Sequence, residues 1–248
     1  MSNRVTQTAP VATLTIGLLL AWEIAPHIFG VPVYVFPPFS AVLFEFGRSC
    51  QLIAVNTWTT FQEALLGCFL GCLVGVLIGG TMARWTSLAL ALEPYLVASN
   101  AIPIVAVSPL VILWFGHGLL SKVVVAAFLC FFPICMNTYR GLVAYERTYS
   151  ELFDVLGATK LEFFLKYQIP NAIPSILSGL RVSATLAVIG AVVAEFVSAD
   201  SGLGFGMLQA SYALNTPRLY AYLIASCGLG LLMYGGVLVV ESFAKPKA

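Results

Sequence analysis

Glu151-Leu-Phe-Asp-Val-Leu-Gly157-Ala-Thr-Lys-Leu-Glu-Phe-Phe-Leu-Lys-Tyr-Gln-Ile-Pro170 is the most charged part of an otherwise oily chain. It reads as a short helix, a glycine break, a second short helix, and a proline that opens the next apolar run. Glu151 stands at the N-terminus of the first helix, where an anion is favoured. Leu152, Val155 and Leu156 fall on one side of that helix at i, i+3, i+4 spacing. Gly157, followed by Ala158, can take the left-handed conformation that ends a helix at little steric cost. Leu161, Phe164 and Leu165 repeat the pattern in the second helix. A polar loop between membrane spans has no bilayer in which to bury such side chains, so the expectation is a helix pair that docks on another protein.

The rest of the chain makes those spans. Its 248 residues are 60% hydrophobic and 9% charged, with a mean hydropathy of +0.94. A soluble domain carries roughly a quarter charged residues. Crossing a bilayer takes about 20 helical residues, and several uncharged runs are that long. The fold class is therefore an all-α polytopic membrane protein, one transmembrane domain over 1–248 with the loop 140–170 inside it. There is no phosphate-binding G-x-x-x-x-G-K-[ST] loop, and no room for an ATPase or a large soluble module. The formal net charge of +1 gives no argument for nucleic acid. Five of the six cysteines sit in apolar runs, without metal-ligand spacing to histidine. Cys68 and Cys72 share a helix face as small buried hydrophobes.

Six spans are expected. Met1 to Pro10 is polar and not a cleavable signal; span 1 runs from about Val11 to Phe29. An amphipathic segment, Ser40 to Leu52, lies at the interface. Span 2 covers about Thr60 to Ala83, and Gly67, Gly71, Gly75 and Gly79 form one small-residue stripe for close helix packing. Span 3 starts near Leu88, with a helix to about Val107, a break, and a short apolar segment to Phe115. Span 4 is about Ser121 to Tyr139, span 5 about Ala172 to Val197, and span 6 about Leu219 to Val240. Between the last two lie a glycine-rich connection, Ser201-Gly-Leu-Gly-Phe-Gly206, and a re-entrant or interfacial helix. Arg4, Arg84, Arg140, Arg147, Lys160, Lys166, Lys245 and Lys247 fall on one side, Arg48 and Arg218 on the other. The positive-inside rule then puts both termini and the 140–170 loop in the cytoplasm.

Polar residues at membrane depth are the pathway candidates. Asn100, Pro103, Ser108 and Pro109 are polar or helix-breaking where irregular backbone is tolerated only beside protein or a wet cavity; a purely structural kink is the other reading. Glu195 is a carboxyl group deep in span 5. It could pair with Arg181 or Lys122, be neutral, or meet substrate. Arg181 reads as a snorkelling anchor. Glu23 and Glu63 read as solvated near span ends, and Trp22, Trp58, Trp85 and Trp114 as an aromatic belt. An intramembrane serine enzyme would need a histidine base, and His27 and His117 lie far from Ser178 and Ser201. An autonomous secondary transporter or channel would leave the helix pair without purpose, and no paired inverted halves are visible.

Glu151, Gly157-Ala158 and Ile169-Pro170 resemble the cytoplasmic EAA loop of ABC importer permeases. Leu152 and Phe153 stand where that loop has two alanines, which makes its surface bulkier. Pro109-Leu-Val-Ile-Leu-Trp-Phe-Gly116, Ser121-Lys122, Phe132-Pro133-Ile134, Asn137-Thr138, Ser178-Gly-Leu-Arg181, Ala194-Glu195 and Ser201-Gly-Leu-Gly204 extend the match. In this order they resemble the nitrate/sulfonate/taurine-type permeases, a subfamily that includes carriers of bicarbonate, thiamine-precursor pyrimidines and riboflavin. The resemblance implies a type I importer fold in the bacterial inner membrane and no enzymatic activity in this chain. It implies a second permease copy as homodimer partner, two ATPase subunits carrying ATP and Mg, an extracytoplasmic substrate-binding protein, and surrounding membrane lipid. It implies coupling through Glu151, Leu152, Val155, Leu156, Gly157, Ala158, Leu161 and Phe164. The pathway would then use Asn100, Pro103, Ser108, Pro109, Asn137 and Glu195, with a gate loop at Ser201, Gly202, Leu203 and Gly204. Phe131-Phe-Pro-Ile, Asn137-Thr138 and Glu195-Phe-Val with Asp200 look more like the heterocycle-carrying branch.

Overall fold

A computed structural model describes residues 2–145, 147–198 and 200–244; Lys245 and Lys247 of the orientation count lie outside the described residues. The described residues form eleven α-helices and one π-turn, with no strand among them: α1 Ser2–Ile28, α2 Phe39–Arg48, α3 Cys50–Arg84, α4 Thr86–Asn100, α5 Ile104–Phe115, α6 Leu119–Val143, α7 Arg147–Val155, α8 Lys160–Phe163, the π-turn Phe164–Gln168, α9 Ile169–Val197, α10 Leu203–Tyr212 and α11 Thr216–Ala244. Helices satisfy every backbone group internally, which a lipid environment demands. By length and composition α3, α6, the continuous Lys160–Val197 helix and α11 can each cross a membrane. The α4–α5 pair meets the same test but bends by 98° at its break, as a broken span or re-entrant loop, and the apolar part of α1, Thr13–Ile28, is shorter.

Helix α6 is the centre of the bundle, packed against α3 on one side and α9 on the other. The glycine stripe explains how close α3 comes. A Cβ on Gly67, Gly71, Gly75 or Gly79 would stand 2.4 Å from Ala126 Cβ, 2.5 Å from Ala127 O, 2.3 Å from Ile134 Cγ2 and 2.5 Å from Cys135 O. The α6–α9 seam is as close, with Gly190 seated on Ala126 and Gly179 on Asn137. Cys130 sits at the meeting point, its thiol 3.1 Å from Ser183 O, and the Cys68 and Cys72 sulfurs are 3.9 Å apart.

Four expectations need correction. The break in span 3 comes at residues 101–103, not after Val107. Pro103 precedes the first residue of α5 in extended geometry (φ −63°, ψ 116°), where a missing N–H costs nothing, while Pro109 is carried inside α5. Span 2 extends back to Cys50, so Glu63 is well inside a helix and 1% exposed rather than solvated near its end. Trp22 does not face the lipid belt: its indole N–H donates to Pro37 O at 3.0 Å, and its ring packs on Phe39 and Tyr220. Glu151 lies not at the N-terminus of α7 but in its second turn, where the helix-end field has faded; Pro170 does lead into the apolar run of α9, in a helix continuous with α8.

Candidate functional site

The helix pair closes on itself by two local devices. Gly157 has φ +69°. The Ala158 N–H donates to Phe153 O at 3.0 Å and the Gly157 N–H to Asp154 O at 3.1 Å, the paired bonds of a Schellman end to α7. One residue later Thr159 opens α8 with a capping box: its hydroxyl accepts from the Glu162 N–H at 3.2 Å, while Glu162 Oε2 accepts from the Thr159 N–H at 2.9 Å. The Thr159 backbone bond, then Lys166, hold the Glu162 carboxyl down at about 2. Thr159-x-x-Glu162 was a sequence signal for this helix start that the apolar spacing alone does not use.

The two helices then show two faces. Inward, Phe153 packs on Phe163 with ring centroids 5.1 Å apart, Phe163 on Tyr167 at 5.4 Å, and Tyr149 on Tyr167 at 4.9 Å. Outward, Leu152 is 50% exposed, Val155 84%, Leu156 71% and Leu161 65%. Of the expected surface residues, Glu151 and Gly157 are exposed, whereas Ala158 and Phe164 are half-buried and line a cavity of about 560 Å³ with Arg84, Tyr145, Asp154 and Lys160. Gln168 donates to Leu142 O at 3.1 Å and Asn171 to Ala144 O at 2.9 Å, so the root of α9 is tied to the end of α6. The π-turn accommodates Pro170: the Ile169 N–H reaches back to Phe164 O, a bond one residue longer than an α-turn, just before the residue that has no N–H to give.

At the other end of α9, the gate loop is held by side chains of other helices. Gly202, φ +107°, precedes α10, and the first N–H groups of that helix have no partners within it. The Gly202 N–H donates to Asn56 Oδ1 at 3.0 Å, the Leu203 N–H to Thr60 Oγ1 at 2.8 Å, and the Gly204 N–H to Glu195 Oε2. Thr60 in turn donates to Glu195 Oε1 at 2.6 Å, and Asn56 Nδ2 to the Tyr222 hydroxyl at 3.1 Å. Leu203 and Gly204 are buried, and Ser201 is half-buried. Sequence reasoning missed Asn56, Thr60 and Tyr222, because they belong to distant helices with no local spacing to link them.

Glu195 therefore pairs with neither expected cation. Lys122 Nζ lies 3.5 Å from Glu63 Oε1, and Arg181 Nε lies 3.5 Å from Glu241 Oε2 near the end of α11. Among the described residues no other pathway candidate hydrogen-bonds with Glu195. Asn100, Pro103 and Pro109 are exposed around the α4–α5 bend, and Ser108 is buried with no hydrogen-bond partner for its hydroxyl among the described residues. Asn137 is half-buried against α9 and donates to Pro133 O at 2.8 Å. His117 Nδ1 contacts the Ser198 hydroxyl rather than Ser178 or Ser201. At the far end of α2, Glu45 accepts from Arg218 at 2.7 Å; burial opposes ionisation there, but the bonds from Arg218 and Ser49 outweigh it and hold this carboxyl below its ordinary range.

Known proteins share both the sequence and this architecture. Residues 67–245 match the family described as binding-protein-dependent transport system inner membrane component. The formylaminopyrimidine transport permease protein ThiX of Halalkalibacterium halodurans is 35% identical over 229 residues, 92% of each chain. The riboflavin transport system permease protein RibX of Chloroflexus aurantiacus is 39% identical over 219 residues, 88% of this chain and 82% of that one. An inward-facing structure of the MetNI methionine ABC transporter superposes with a TM-score of 0.70 over 80% of this chain and 99% of that one, at 17% identity. The chain thus belongs to the binding-protein-dependent inner membrane component family, and is the membrane-spanning permease subunit of an ABC importer.

Proposed function

We propose that the α7–α8 pair is the element through which this permease couples to a separate ATPase subunit. The observation that carries the reading is the outward apolar face of Leu152, Val155, Leu156 and Leu161, set on a rigid aromatic underside. Two ATPase subunits, which hold ATP and Mg²⁺, two copies of this chain and an extracytoplasmic substrate-binding protein complete the importer. Both termini and the 140–170 loop face the cytoplasm, as the lysine and arginine asymmetry favours. Closure of the ATPase dimer pushes the pair; the bonds from Gln168 and Asn171 to the end of α6 carry the movement into the two central spans. This chain itself does no covalent chemistry. The gate loop closes the opposite end, and the substrate is a small solute; the names of two relatives, a formylaminopyrimidine and a riboflavin permease, favour a nitrogen heterocycle.

Two measurements test this. In cells expressing a background without native cysteines, Lys160→Cys should resist an impermeant thiol reagent added outside and react only after the membrane is opened; labelling in intact cells reverses the orientation. Gly157→Val tests coupling. Nothing stands within 4 Å of a Cβ there, so the whole penalty is backbone strain at φ +69°, about 1–2 kcal/mol. Relief of that strain re-aims Leu152, Val155 and Leu156 relative to Leu161. The variant should insert in the membrane, yet lose the ATPase on co-purification or keep it without hydrolysis stimulated by loaded binding protein. Full binding and full stimulation would remove the helix pair from the coupling role.

A further inference from the structure

Between α3, α6 and α9 lie two carboxyl groups and one ammonium group. Glu63 and Glu195 are each 1% exposed and Lys122 is 7% exposed. Lys122 balances Glu63 at 3.5 Å. Among the described residues the second carboxyl has no such partner: Glu45–Arg218 joins α2 to α11, and Arg181–Glu241 joins α9 to α11. Glu195 faces Thr60 and Glu63 from α3 and the first backbone N–H groups of α10; Lys122 enters from α6 on Glu63, and Tyr222 of α11 reaches the cluster through Asn56. The end of α10 supplies about half a positive charge at most, which leaves a negative remainder in a place where unpaired charge is costly.

The hydrogen bonds show the same shortfall of one positive charge. Glu63 stands one turn after Thr60 on α3, and Thr60 donates to Glu195, so both carboxyl groups open on the same buried cluster. Yet Glu63 Oε2 is buried and has no partner among the described residues. Two ionised carboxylates can only accept, so neither can satisfy the other. One proton changes this: the O–H of one acid donates to the other carboxylate, and both Glu195 oxygens can still accept from Thr60 and Gly204.

We propose that Glu63 and Glu195 together bind one proton at membrane depth, and that this shared proton, with Lys122 as counter-ion, keeps the N-terminus of α10 seated on the span bundle. The event is binding or release of H⁺ alone, exchanged with water. When the proton leaves, two carboxylates face each other, Glu195 is driven off, and the Gly204 N–H loses its acceptor. Alkaline pH then loosens the gate loop, and protonation fastens it.

The test uses the full permease in liposomes. Infrared spectra at neutral pH should contain a carboxylic-acid C=O band that shifts in D₂O, disappears in Glu195→Gln and moves in Glu63→Gln. A reporter, Ser201→Cys in a background without native cysteines, should react several-fold faster with a thiol reagent as pH rises and the band fades. Glu195→Gln should flatten that pH profile, since an amide is neutral throughout and can both donate and accept. The wild-type spectrum decides without any variant: absence of a protonated-carboxyl band overturns the proposal. So does a band untouched by both substitutions, or a reporter that follows sodium at fixed pH instead of protons.

Discussion

Gly71→Val is expected to yield almost no folded permease, whereas Gly80→Ala in the same helix should fold normally. The two glycines are nine residues apart on α3 but face different surroundings. A Cβ at position 71 would stand 2.5 Å from Ala127 O and 2.8 Å from Cys130 Cβ, and at position 80 it meets nothing within 4 Å. A backbone carbonyl inside α6 cannot rotate away, so the helices must part. That opens the seam along Gly67, Gly75 and Gly79 as well. Overpacking typically costs about 1–3 kcal/mol, and here the whole α3–α6 contact takes the strain, so the upper end or more is expected. Ala at position 80 should be neutral or slightly stabilising, because glycine lowers helix stability by about 1 kcal/mol relative to alanine. Yield of monodisperse protein in mild detergent and its thermal unfolding midpoint check both. A folded Gly71→Val at wild-type yield would show that the helices are not held at this distance.

Lys122→Met should cost about 3–5 kcal/mol, the usual penalty for removing one member of a buried ion pair. Glu63 would keep its burial and lose its cation. The double variant Glu63→Gln with Lys122→Met should recover most of that loss, because two neutral side chains of similar size leave nothing unpaired. The comparison separates charge from volume: if the loss came from packing around Lys122, the second substitution would not restore it. Thermal unfolding of the single and double variants in the same detergent reads the difference.

How much of this was legible in the chain depends on distance along it. The glycine stripe could be read because its period of four residues is local, and the structure seats all four on α6. The left-handed Gly157 was also legible, since a glycine between two short apolar patterns has one common geometry. The Glu63–Lys122 pair was not, because 59 positions of sequence separate its members and neither predicts the other. Glu63 reads near a span end because the expected span begins at about Thr60. In the structure the helix runs back to Cys50, and Asn56 and Thr60 hold the first N–H groups of α10. Helix breaks were half legible. Proline marks where a break can occur, but whether Pro103 or Pro109 breaks the chain depends on where α5 begins, and packing decides that. The proposed pathway residues differ in burial, which spacing does not encode: Asn100, Pro103 and Pro109 are exposed, while Ser108 and Glu195 are buried.

The wide turn at Phe164–Gln168 fixes angular phase. Each residue advances a helix by about 100°, and a π-turn carries about one residue more than an α-turn of the same height. The side chains of α8 are therefore indexed to α9 with an offset of about 100°, as one gear is keyed to a shaft. Converting this turn to α without changing the chain length would rotate Leu161 by about 100°, whereas deleting one residue between Phe163 and Pro170 would remove the extra residue and leave its heading where it is.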